Sequence, residues 1–87
     1  MKALLTRLSE ALGLPATCIK VEGIGSMTYI AISLDQPYNV SMVGLMVEVI
    51  REFKLTAAQI TISYGATVMA HVKIDKDNHT VNEYYNV

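Results

Sequence analysis

The stretch Leu14-Pro15-Ala16-Thr17-Cys18-Ile19-Lys20-Val21 returns forty-one residues later as Leu55-Thr56-Ala57-Ala58-Gln59-Ile60-Thr61-Ile62. Leucine, alanine and isoleucine recur at matching places. At the same offset upstream, Leu4, Leu5, Leu8 and Leu12 fall on Leu45, Met46, Val49 and Phe53. Downstream the offset shortens to forty. Gly25 then falls on Gly65, and Thr28, Ile30, Ile32, Leu34 and Asp35 fall on Val68, Ala70, Val72, Ile74 and Asp75. Self-similarity at a fixed period constrains a fold more than any single element does.

Each copy reads as a helix, a short turn and two strands. Residues 2–13 carry Leu4, Leu5, Leu8, Ala11 and Leu12 at the i, i+3, i+4, i+7 spacing of an amphipathic helix. Gly13, Leu14 and Pro15 supply a left-handed stop, an apolar return and a block to continuation. "CIKVE" and "MTYIAISL" alternate as strands, joined through Gly23-Ile24-Gly25-Ser26. "DQPYN" is a turn, and Asn39 or Ser41 caps a second helix running to about Phe53. Met42, Leu45, Met46, Val49, Ile50 and Phe53 form its main stripe, widened by Val43 and Val47. Thr56 and Gln59 have capping-box spacing for one short turn. "ITIS" and "TVMAHVKI" are strands, "DKDNH" a turn and "TVNEYYNV" a last edge strand.

Neither helix alone can cover its own hairpin. The expectation is an α+β fold: a two-layer sandwich from a pseudo-repeated α-β-β unit, with an antiparallel sheet and both helices on one face. Residues 1–87 form a single domain, with unit one at 1–40, unit two at 41–79 and a C-terminal strand or arm at 80–87. On the sheet face away from the helices the strand phase places Cys18, Lys20, Glu22, Met27, Tyr29, Ala31, Ser33, Met69, His71, Lys73 and Tyr84. Such a face is usually polar. Methionine and tyrosine are types enriched where proteins meet, so the expected interaction residues are Met27, Tyr29, Met69, His71 and Tyr84. Ile24, apolar in a hairpin loop, joins them.

The Gly23–Ser26 segment lacks the Lys-Ser/Thr of a phosphate loop and opens no helix, so its glycines read as turn residues needing positive φ. Asp75, Asp77, His79 and Glu83 lack the central glycine and terminal glutamate of a calcium loop. Cys18 and His71 could be imagined as nucleophile and base, with no third group to orient them; His71 also reads as a pH-sensitive contact if buried in a dimer. Tyr29, Tyr84 and Lys20 could offer a stacking platform to single-stranded nucleic acid. With seven scattered basic residues and net charge −1, no positive track supports that partner.

The chain is 52% hydrophobic and 17% charged, unusually apolar for so small a domain, which points to surface used on a partner or a second copy. No stretch approaches a membrane span, and the start reads as an amphipathic helix rather than a signal peptide. The single cysteine forms no metal or disulfide pattern. The expectation is a small cytoplasmic protein-interaction or regulatory module, an adaptor or inhibitor, some of which are phage-derived. It would be homodimeric, with no catalytic, cofactor-binding or metal residues. A nucleic-acid-binding regulator and a small-ligand sensor at the junction of the units are the alternatives.

Overall fold

The computed structural model describes residues 2–75 and the backbone of 79–83. It is an α+β fold with two helices and a mixed sheet. Helix α1 spans Lys2–Leu12 and α2 spans Ser41–Glu52; the strands are β1 (Ile19–Ile24), β2 (Met27–Leu34), β3 (Ala58–Tyr64), β4 (Thr67–Ile74) and β5 (His79–Glu83). Both helices end in the same way. Gly13 takes φ +66° while the Leu14 N–H donates to the Ser9 carbonyl at 3.2 Å. Lys54 takes φ +54° while the Leu55 N–H donates to the Ile50 carbonyl at 3.3 Å. These are Schellman caps, whose left-handed residue is usually glycine; the end of α2 has a lysine there. At its start, α2 is capped by Asn39, whose Oδ1 accepts from the Ser41 N–H at 3.0 Å.

The two hairpins share a turn as well. Ile24 pairs with Met27 across Gly25-Ser26, and Tyr64 pairs with Thr67 across Gly65-Ala66. Gly25 and Gly65 take φ of +61° and +62°, and neither Ser26 nor Ala66 has positive φ. Positive φ at the first central residue alone is the II′ pattern that suits a two-residue hairpin. Gly23 and Ile24 belong to β1 instead of the loop. The short turn expected at Thr56–Gln59 is also replaced, because β3 has begun by Ala58 and the Ala57 carbonyl accepts from the Thr28 N–H at 3.1 Å. Its counterpart in the first half is a 3₁₀ turn at Ala16–Cys18, led in by Pro15 with φ −60°.

The strand order is β1-β2-β3-β4-β5. The sequence leads one to expect an antiparallel sheet, but the sheet is mixed, because β2 and β3 run parallel at its centre. The reason lies in the connection. Between Leu34 and Ala58 the chain passes through α2, which carries it back along the sheet, so the next strand enters from the same end. A strand–helix–strand crossover of this kind makes parallel neighbours. One geometric consequence follows for the halves. Viewed from the helix side with the first strand of each hairpin pointing up, β2 and β4 lie on opposite sides of their partners, so no rotation within the sheet superposes the hairpins.

The core is one continuous cluster. Leu4 and Leu8 of α1 and Met42, Val43, Met46, Val49 and Ile50 of α2 meet Ile19, Thr28, Ile30, Ile32, Leu34, Ala58, Ile60, Ile62, Ala70 and Val72, all on one face of the sheet. The α2 stripe sits rotated from its expected centre: Val43 is buried and Leu45 is 38% exposed. The helices are joined at their surface by Arg7 Nε donating to Glu52 Oε2 at 3.2 Å. No helix among the described residues is long and apolar enough to cross a membrane.

The hairpins differ by one residue, and this difference shapes the other face. From Ile19 to the turn glycine is one residue longer than from Ile60 to its glycine, while the return strands are equal in length. The surplus residue on β4 becomes a bulge: Ile62 faces Ala70 but Ser63 faces Val68, which leaves Met69 extra. Val68, expected in the core by alternation, is 42% exposed for this reason.

Candidate interaction surface

The sheet face away from the helices is built in rows by the register. One row is Lys20, Ala31, Thr61 and His71; the next is Glu22, Tyr29, Gln59 and Lys73; a third holds Ser33, Ser63 and Val68. Ala31, Ser33, Thr61 and Ser63 give the centre a low floor. Tyr29, 39% exposed, and Val68 stand at either end of it. Thr61 Oγ1 and His71 Nδ1 lie 3.3 Å apart across neighbouring strands, which holds the imidazole on the floor. The described charges of this face are Lys20, Glu22 and Lys73, too few and too mixed for a phosphate track.

The expected interaction residues do not all converge. Tyr29 and His71 share the central face. Ile24 is 63% exposed beside the β1–β2 turn, next to its pairing partner Met27. Met27 lies over the same end of the sheet as Ala57, Gln59, Lys73 and Asp75, with which it borders a cleft. Met69 is about five residues further along the strands, roughly 17 Å from that end. There it borders a different cleft of about 450 Å³ with Pro37, Tyr38, Tyr64 and Thr67. Tyr84 lies outside the described residues.

Val68, Tyr64 and Tyr38 were missed as candidate contacts. Tyr64 is 41% exposed, and Tyr38 packs partly against the core while lining the cleft. The change of offset from forty-one to forty was the signal that could have found Val68. Cys18 ends the 3₁₀ turn and precedes β1, whereas His71 stands in β4, with β2 and β3 between, so the imagined pair is separated by roughly 14 Å or more. Of the acidic and histidine residues near the β4–β5 connection, only the Asp75 side chain is described, and it is exposed. Among the described residues no three His, Cys, Asp or Glu side chains gather as metal ligands.

No protein-family model matches the chain, and no curated protein matches it. Among solved structures it is similar to the C-terminal domain of the sex pheromone staph-cAM373 precursor from Staphylococcus aureus. The match has 19% identity and a TM-score of 0.50, over 69% of this chain and 21% of that chain. The chain therefore spans about a fifth of the length of the structure it matches, and at this identity the likeness is one of fold alone.

Proposed function

We propose that the chain is a small protein-interaction or regulatory module, of adaptor or inhibitor type, that binds through the sheet face its helices leave uncovered. The observation that carries this reading is the composition of that face. A floor of Ala31, Ser33, Thr61 and Ser63 lies between exposed Tyr29 and Val68 with three charges of mixed sign. An aromatic anchor beside small residues offers area to a protein partner at little desolvation cost. A cytoplasmic setting fits this reading. It is tested by affinity capture from host lysate with the wild-type chain beside Tyr29→Glu/Val68→Lys. A partner retained by the wild type and lost by the variant supports it; a partner retained equally by both overturns it. Salt-sensitive retardation of mixed oligonucleotides would instead favour the nucleic-acid reading.

A small-ligand sensor draws on one specific observation. The cleft of Pro37, Tyr38, Tyr64, Thr67 and Met69 lies where the loop closing the first half meets the hairpin turn of the second. We also infer that the two α-β-β units are a repeat of sequence and local conformation, stacked as a two-layer sandwich. The matched caps at Gly13 and Lys54 and the matched turns at Gly25 and Gly65 support it. The opposite hand of the two hairpins limits the repeat to local conformation.

A further inference from the structure

β1 forms one edge of the sheet, and among the described residues β2 alone pairs with it. Edge strands are commonly blunted by proline, a bulge, an inward charge or exposed charges, lysine above all, which prevent pairing with another chain. Ile19–Ile24 has no proline, bulge or inward charge, and its one lysine, Lys20, is matched by Glu22 of opposite sign. Its register with β2 is unbroken, and its inward positions are Ile19, Val21 and Gly23. Its outward positions are Lys20, Glu22 and Ile24, all exposed, the first two of opposite sign.

We infer that β1 pairs antiparallel with β1 of a second copy of this chain, about a two-fold axis at Val21. Charge decides both the occupant and the register. With Val21 on the axis, Lys20 stands opposite Glu22 of the partner subunit, and its own Glu22 stands opposite Lys20 of the partner subunit. Parallel in-register pairing would instead set lysine beside lysine and glutamate beside glutamate, which destabilises a ladder. An antiparallel slip by one residue would turn the apolar positions to the wrong face. The two-fold arrangement also sets Ile19 opposite Gly23 of the partner subunit, where no side chain obstructs it. Val21, half-buried at the edge, gains a β-branched cross-strand neighbour. The interface is isologous, so it closes at two copies, and it runs the uncovered faces of both into one surface.

This inference rests on the interaction-module reading and names a second copy as one partner. Sedimentation equilibrium at low ionic strength tests it on the wild type, Lys20→Glu, Glu22→Lys, their mixture, and the double exchange. The wild type is expected to dimerise. Each single variant places two like-charge contacts in the interface and is expected to weaken dimerisation by on the order of tenfold to a hundredfold. The mixture of the two single variants and the double exchange each restore opposite pairs and are expected to recover it. Both positions are exposed, and unchanged circular dichroism with a cooperative melt confirms that the variants fold; melting points are compared at concentrations where the wild type is also monomeric, because dimerisation itself stabilises the native chain. A wild type that stays monomeric up to millimolar concentration overturns the inference, as does a dimer indifferent to the single exchanges. Neither result touches the capture experiment with the Tyr29→Glu/Val68→Lys variant, so failure of this edge is distinguishable from failure of the sheet-face reading.

Discussion

Replacing Lys54 by glycine should make the protein more stable, although it removes a charged side chain and adds none. Lys54 ends α2 at φ +54°, where an L side chain crowds the following carbonyl at a cost of about 1–2 kcal/mol. Glycine avoids that crowding but loses more backbone entropy on folding, about 0.5–1 kcal/mol. The Leu55 N–H to Ile50 carbonyl bond that closes the cap needs only backbone, so it survives the change. The net expectation is a gain of about 0.5–1 kcal/mol, which in a domain of this size raises Tm by roughly 2–8 °C. The reverse change tests the same reasoning forty-one residues earlier. Gly13 has φ +66° with nothing from the rest of the fold within 4 Å of a built Cβ, so the cost of Gly13→Lys is the local crowding alone, about 0.5–1 kcal/mol after the backbone entropy of glycine is set against it. Chemical denaturation of both variants and the wild type is the assay, with the slopes compared to confirm a common unfolded state. A destabilised Lys54→Gly, or a neutral Gly13→Lys, would refute the assignment of equivalent left-handed caps.

The remaining expectations concern the core, the bulge and the surface. Ile32→Ala, at a position 1% exposed in the core cluster, should cost about 2–4 kcal/mol in the same assay. Val68→Thr should change stability by less than about 0.5 kcal/mol, whereas Val72→Thr, at a fully buried position, should cost about 1–3 kcal/mol for its unpartnered hydroxyl. Equal losses at the two valines would mean that β4 alternates regularly and carries no bulge. Arg7→Ala should cost about 0.5 kcal/mol or less, since the Arg7 and Glu52 side chains are 43% and 54% exposed; a loss several times larger in denaturation would show that the pair organises the helix contact.

The features legible in the sequence are those set by local chemistry. Gly13-Leu14-Pro15 announces the end of α1, Asn39 the start of α2, and Gly25 and Gly65 the two hairpins, because each depends on φ or a hydrogen bond within a few residues. The strand faces were legible wherever alternation is unbroken, as from Thr28 to Leu34. What failed was long-range. Alternation says which side of a strand is buried but not which way its neighbour runs, so the parallel pairing of β2 and β3 had to come from the helix between them. Rotation of α2 likewise depends on which strands lie beneath it, and this buries Val43 and exposes part of Leu45. Val68 was misplaced although its signal was present: one residue fewer before the turn forces a bulge after it. Of the candidate surface, Tyr29 and His71 were legible from strand phase. The separation of Met27 from Met69 was not, because phase assigns a face and carries no position along it.

The central claim is that partners meet the uncovered sheet face, and site-specific photo-crosslinking tests it most directly. A benzoyl-phenylalanine is placed at Tyr29, on that face, or at Leu45, comparably exposed on α2, and each chain is irradiated in host lysate. Covalent adducts to another protein from position 29, absent from position 45, are the predicted result. Adducts from position 45 with none from position 29 would contradict it.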